Sequence, residues 1–133
     1  MTKHMRVLLP VVAAVVFVAV PVAQAKPARS TATITVTIGK PSEFGFKLSS
    51  KTAAHGAITF NVTNGGNVPH DFKLCSKASA TKADTCAGKA IKLLTPGQSA
   101  TLKVTVAKAG TYEYLCTVPG HATAGMKGLL KVT

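Results

Sequence analysis

Between Cys116 and Met126 the chain reads Cys116-Thr-Val-Pro-Gly-His121-Ala-Thr-Ala-Gly-Met126. A thiol, an imidazole and a thioether stand in one short run, with four residues in each gap. Pro119 and Gly120 stop a helix from continuing past Cys116, and Gly125 supplies a second bend before Met126. The segment is a loop that can return three side chains to one point. Just upstream, Thr111 to Leu115 has the composition of a strand, whose end delivers Cys116. A fold that carries this run has to gather strand ends and loops at one pole, where functional loops usually lie.

The rest of the chain supplies such strands. Thr31 to Ile38 alternates small or polar residues with apolar ones, the period of a half-buried strand. Glu43 to Leu48 is a shorter candidate with Phe44 and Phe46, and Gly56 to Thr63 places Ile58, Phe60 and Val62 on one face. Asn64-Gly65-Gly66-Asn67 is a turn, followed by a short strand over Asp71 to Leu74. Thr95-Pro96-Gly97-Gln98 turns the chain into Ser99 to Ala107, with Leu102, Val104 and Val106 inward. Lys108 to Gly110 turns again, and Lys127 to Val132 is the last strand. Residues 76–89, rich in Ala, Ser, Thr and Lys, fit either a helical turn or a loose excursion. Short strands between Gly/Pro/Asn turns, with no long helix, predict an all-β antiparallel sandwich.

The first residues stand apart. Lys3 and Arg6 precede an apolar run from Val7 to Val20, and Ala23-Gln24-Ala25 has the small-x-small pattern of a secretory cleavage site. An uncleaved anchor is the alternative. The run falls short of the ~20 residues a spanning helix needs, and Pro10 and Pro21 bracket it. Residues 1–25 are therefore expected to be a signal peptide. Residues 26–133 are expected to be one soluble domain, periplasmic or secreted, with residues 26–30 a frayed start. With no Trp and few aromatics the core is small, and a disulfide or metal would help to hold it.

Cysteine count and charge narrow the chemistry. Three cysteines in an exported chain leave one over: Cys75 and Cys86 flank a polar stretch that suits a disulfide, which would leave Cys116 free, whereas the rival pairings would consume Cys116. Sixteen Lys and Arg face four acids; without Lys3 and Arg6 the domain keeps fourteen basic and four acidic side chains, a formal charge of +10. Export and the scatter of the lysines argue against nucleic acid. Two readings stay open: a field that steers acidic partners, or a solvated lysine surface that keeps a small β-protein monomeric.

A free thiol, two imidazoles and a thioether form a recognisable donor set. Val68-Pro69-His70-Asp71-Phe72 offers the second histidine, on a different strand end from the loop. Two His and one Cys with a weak axial Met is the ligand set of a mononuclear copper electron-transfer site. Taken singly, Met126 would be a packing residue, His121 a surface or turn histidine and Cys116 a buried thiol, and His70 would carry little information. Their joint occurrence in this order points to metal. His55, in Ala54-His55-Gly56, is expected to be a surface residue.

The chain resembles the small blue-copper proteins, the cupredoxins. The resemblance rests on residues 61–74 and on Gly110-Thr-Tyr-Glu-Tyr-Leu-Cys116-Thr-Val-Pro-Gly-His121 with Gly125-Met126-Lys-Gly128. Auracyanin- and rusticyanin-like members share the ligand-loop spacing. The resemblance implies a Greek-key sandwich of about eight strands with one copper near one end. His70, Cys116, His121 and Met126 are its implied ligands. Many relatives have Asn or Ser after the first His; here the position is Asp71. Its carboxylate could accept from the Thr117 hydroxyl or a backbone N–H and orient the loop. If ionised, it would lower the reduction potential.

These features imply a one-electron carrier. By the resemblance, the His121 edge would pass the electron through an apolar patch of Val68, Pro69, Val118 and Pro119. The partner would be a redox protein, such as a c-type cytochrome or a terminal oxidase or reductase, acidic at its docking face. A copper-delivery protein without a redox role is the alternative, although Met126 is the one methionine after residue 25. An enzyme such as a multicopper oxidase needs further histidines, often flanking the Cys; here the neighbours are Leu115 and Thr117.

Overall fold

The computed structural model describes residues 30–133; the expected signal peptide lies outside them. Nine strands and no helix occur among the described residues. They are β1 (Thr31–Ile38), β2 (Phe46–Leu48), β3 (Thr52–Ala53), β4 (Gly56–Asn64), β5 (Lys73–Ala78), β6 (Gly88–Ala90), β7 (Ser99–Val106), β8 (Gly110–Leu115) and β9 (Lys127–Val132). One sheet has the order β2-β1-β4-β7 and the other β3-β9-β8-β5-β6. The expected all-β sandwich is present. Its sheets are mixed rather than purely antiparallel, because β1 runs parallel to β4 and β3 parallel to β9. Parallel neighbours need a crossover between them. Here residues 39–55, which carry β2 and β3, make the crossing from β1 to β4.

Alternation builds the core as the sequence suggests. Ile34, Val36 and Ile38 of β1 and Ile58, Phe60 and Val62 of β4 are buried, with Leu102 and Val106 of β7. Val104 is only half-buried. Phe72 is fully buried, 5.5 Å from Phe46, 5.1 Å from Phe60 and 5.6 Å from Tyr114 by ring centroids. Full burial of each such ring stabilises the fold by ~1.5–3 kcal/mol. That cluster lies next to His70 in sequence and gives the metal end a rigid floor.

Residues 76–89 hold no helical turn. β5 runs on through Ala78, a loop follows, and β6 returns beside β5. Cys75 and Cys86 form the expected disulfide, with Cα atoms 5.6 Å apart, and Cys116 is free and buried. The loop folds back over the sheet, where Cys75, Leu115 and Ala122 make a small second core with Cys86 packed against it. Lys127 Nζ donates to Asp84 and the Ala83 N–H to Glu113 Oε2, fixing the loop at two further points. Closing a loop of this length contributes of order 2–4 kcal/mol. The expected short strand at Asp71 begins instead at Lys73. His70 is engaged in an isolated bridge to Leu94, which leaves Asp71 and Phe72 between bridge and strand.

Candidate metal centre

His70 stands on a backbone fastened from both sides. Its N–H donates to the Leu94 carbonyl at 3.0 Å, and its carbonyl accepts from the Leu94 N–H at 2.8 Å. The loop before it is organised by Asn64, which is fully buried. The Asn64 amide donates to Val68 O and Leu94 O, both at 2.9 Å, and its Oδ1 accepts from the Gly66 N–H at 2.9 Å. A buried amide satisfied in this way fixes a loop as firmly as a strand pairing does.

Cys116 follows β8 directly, and its N–H donates to the Met126 carbonyl at 3.1 Å. Between them the chain makes successive turns: His121 N–H to Val118 O at 3.0 Å, Ala124 N–H to Gly120 O at 2.9 Å, and Met126 N–H to His121 O at 3.0 Å. Gly120 and Gly125 take φ of 83° and 105°, conformations that other residues rarely adopt. The bends expected at these positions are thus made. Cys116 and Met126 are fully buried, and His121 is half-buried.

Three donor atoms converge. His70 Nδ1 lies 3.1 Å from His121 Nδ1, which lies 3.6 Å from Cys116 Sγ, and all three stand within 4.8 Å of one another. Atoms bound to one ion at about 2.0–2.3 Å stand about 3–4 Å apart, so this donor set fits a single metal. Burial pushes the Cys116 thiol up to about 11, so metal binding has to displace its proton. Burial, and then His70 nearby, lower the His121 pKa and favour the neutral imidazole that a metal requires. Met126 packs with Cys116 in the main core and lies fully buried at the end of the ligand loop.

Asp71 does what its position suggested, and does it twice. Oδ1 accepts from the Thr117 N–H at 2.6 Å, and Oδ2 accepts from the Thr117 hydroxyl. The strand end holding His70 is thereby tied to the residue after Cys116. Of the expected apolar patch, Val68, Pro69 and Pro119 are exposed and Val118 is half-buried.

Two residues escaped the sequence reading. Glu43 Oε1 lies 2.8 Å from His70 Nε2, and its carboxylate also accepts from the Asn67 and Val68 N–H groups. The hydrogen bond with His70, then that with Asn67, hold its carboxyl at about 2. Phe44, 42% exposed, meets the His121 ring edge-on at a centroid distance of 5.1 Å. The scarcity of acids was a usable signal for Glu43. All four in the chain make specific contacts: Glu43 with His70, Asp71 with Thr117, Asp84 with Lys127 and Glu113 with Ala83.

Residues 31–133 match the model of the copper-binding proteins of the plastocyanin/azurin family. The chain belongs to that family. It is 49% identical over 41 residues to auracyanin-B of Chloroflexus aurantiacus, covering 31% of this chain and 17% of the relative. It is 31% identical over 85 residues to the copper-resistant cuproprotein CopI of Rubrivivax gelatinosus, covering 56% of this chain and 51% of the relative. The chain therefore spans about half or less of these relatives' lengths. Reduced auracyanin from Roseiflexus castenholzii has the same fold, with a TM-score of 0.60 at 23% identity, covering 80% of this chain and 99% of that one. As a cupredoxin the protein takes copper as its cofactor, and His70, Cys116 and His121 are the grouped donors that fit it.

Proposed function

We propose that the protein is a one-electron carrier, with one blue (type 1) copper held by His70, Cys116, His121 and the axial Met126. It would serve redox partners in the periplasm or outside the cell. The observation that carries this reading is the convergence of two imidazole Nδ1 atoms and one thiol sulfur within 4.8 Å at one end of a sandwich. Bound copper supplies a couple that changes by one electron. The chain supplies the rest. Sheet ends, the Asn64 network and the Asp71–Thr117 pair hold the donors in one arrangement, so little has to move when the charge changes. A second observation favours transfer at His121. It is the half-buried histidine, and the exposed Phe44 packs edge-on against its ring.

No helix among the described residues is long and apolar enough to cross a membrane. The natural partner is an acidic-faced redox protein, such as a c-type cytochrome or a terminal oxidase or reductase, met by a monomeric carrier. An open groove of about 470 Å³ bordered by Phe44, Lys51 and Lys82 supports this, because it sets two cationic side chains beside an exposed aromatic ring. A weak apolar contact steered by charge allows fast release. No enzymatic role is proposed, because Cys116 lacks the flanking histidines that would serve further copper centres.

One relative is named a copper-resistant cuproprotein, and one other reading stands beside the carrier, copper binding or delivery without a redox role. An absorption spectrum of the copper-loaded, oxidised protein separates the two. The carrier reading expects an intense band at about 600 nm from copper–thiolate charge transfer. A colourless cupric form would leave the delivery reading standing.

A further inference from the structure

We infer that Glu43 is a positioning residue of the copper centre: it fixes the tautomer of His70 so that Nδ1 faces the metal, and its charge favours the oxidised ion. This rests on the copper-carrier reading above and assigns a role that the donor set alone does not contain.

The bond pattern dictates the tautomer. A neutral imidazole carries one N–H. His70 Nε2 lies 2.8 Å from a Glu43 carboxylate oxygen, which already accepts from the Asn67 N–H, so Nε2 is the donor and Nδ1 keeps the lone pair. In the metal-free protein His70 Nδ1 then accepts from His121 Nδ1 across 3.1 Å. The His70 ring is fully buried, so no water competes for either nitrogen.

The fold makes room for this carboxylate. A Cβ at Gly66 would collide with Glu43 Oε1, and a Cβ at Gly39 would collide with the backbone of Gly66. Two chain segments cross where only glycine fits, and the crossing sets Glu43 above the loop that leads to His70. Asn67 donates to both Glu43 oxygens through its N–H, at 2.9 and 3.0 Å, and to Oε2 through its amide at 3.0 Å. The next residue, Phe44, rests on His121. One short segment thus touches both histidines. Glu43 acts on the His70 side and Asp71 on the Cys116 side. A carboxylate bonded to a ligand imidazole makes it a stronger donor, and nearby negative charge favours the more positive ion.

Glu43→Gln keeps the shape and removes the charge, whereas Glu43→Ala removes the acceptor as well. Nitrogen NMR of the metal-free wild type is expected to show His70 as the Nε2–H tautomer, and the Ala variant a mixture. Voltammetry of the copper-loaded Gln variant is expected to show a higher reduction potential than wild type. Titration of the Ala variant is expected to show copper affinity ~10–100-fold weaker. A Gln variant with unchanged or lower potential overturns the inference, and so does a wild type whose His70 carries its proton on Nδ1. A lowered melting temperature with unchanged potential and tautomer marks Glu43 as a loop anchor only, which also overturns it. If the wild type binds copper without a blue band, the carrier reading fails, and the metal-free tautomer still decides the role of Glu43.

Discussion

The two histidines of the centre are built in opposite ways. His70 is fully buried, its backbone is paired on both sides with Leu94, and its far nitrogen is bonded to Glu43. His121 is half-buried and sits on a run of turns, with an exposed Phe44 against its ring. The same residue type thus serves two needs. One imidazole is fixed by everything around it and sets the geometry. The other is reachable, as the proposed carrier role requires of an exit for the electron. A buried, over-determined ligand resists change in the donor set. A ligand near the surface shortens the distance to a partner.

The largest expected effect comes from removing what both halves share. Cys116→Ser should abolish the ~600 nm band altogether, since the thiolate is its source. Circular dichroism should show an unchanged β-sandwich, because the Cys75–Cys86 disulfide does not involve Cys116. Detection of Cys116 in a disulfide by mass spectrometry of the unreduced protein would contradict the site. The next test splits the histidines. His121→Gly should leave an opening to solvent that free imidazole fills, restoring the blue band. His70→Gly should not be restored, because its cavity is closed and the Glu43 carboxylate is left beside it without its donor. Equal rescue of both variants would erase the distinction between a fixed and a reachable ligand.

The two sides were not equally legible in the sequence. The His121 side is contiguous: Cys116, Pro119, Gly120, His121, Gly125 and Met126 announce both the donors and the bends within one loop. The His70 side is assembled from residues far apart in the chain. Asn64 and Leu94 meet through a single buried amide, and Glu43 is 27 residues from His70. Locally, Glu43 opens the strand candidate Glu43 to Leu48, whose strand begins only at Phe46, and no periodicity marks a carboxylate that works across a gap. The same limit applies to the fold. Alternation located β1, β4 and β7 almost to the residue, yet it carries no information about neighbours. The parallel β1–β4 and β3–β9 pairs were therefore not foreseen. β3, only two residues long, shows no period at all. Asp71 was legible because it lies directly beside a ligand.

Met126 tests whether the contiguous side also sets the potential. Its carbonyl accepts from the Cys116 N–H and its N–H donates to the His121 carbonyl, so its backbone closes the ligand loop whatever the side chain. Met126→Gln should preserve the blue site and lower the reduction potential, because an amide oxygen favours the cupric ion. A shift of ~60 mV or more, a tenfold change in a one-electron equilibrium, is the expected order. An unchanged or raised potential in voltammetry would remove Met126 from the axial position.

The smallest expected effect separates exit from geometry. Phe44 touches His121 from outside, and no donor depends on it. Phe44→Ala should leave the absorption band in place and move the potential little, since the charges around the metal are unchanged. It should slow electron exchange with an acidic redox partner a few-fold, because part of the apolar contact surface is lost. Stopped-flow rates at several salt concentrations read this directly. If lysines steer the encounter as proposed, the variant should keep the wild-type salt dependence and lose only the salt-independent part. A potential shift as large as that of Glu43→Gln would mean that the 43–44 segment tunes both histidines alike, and the division between a fixed and a conducting ligand would fail at this residue.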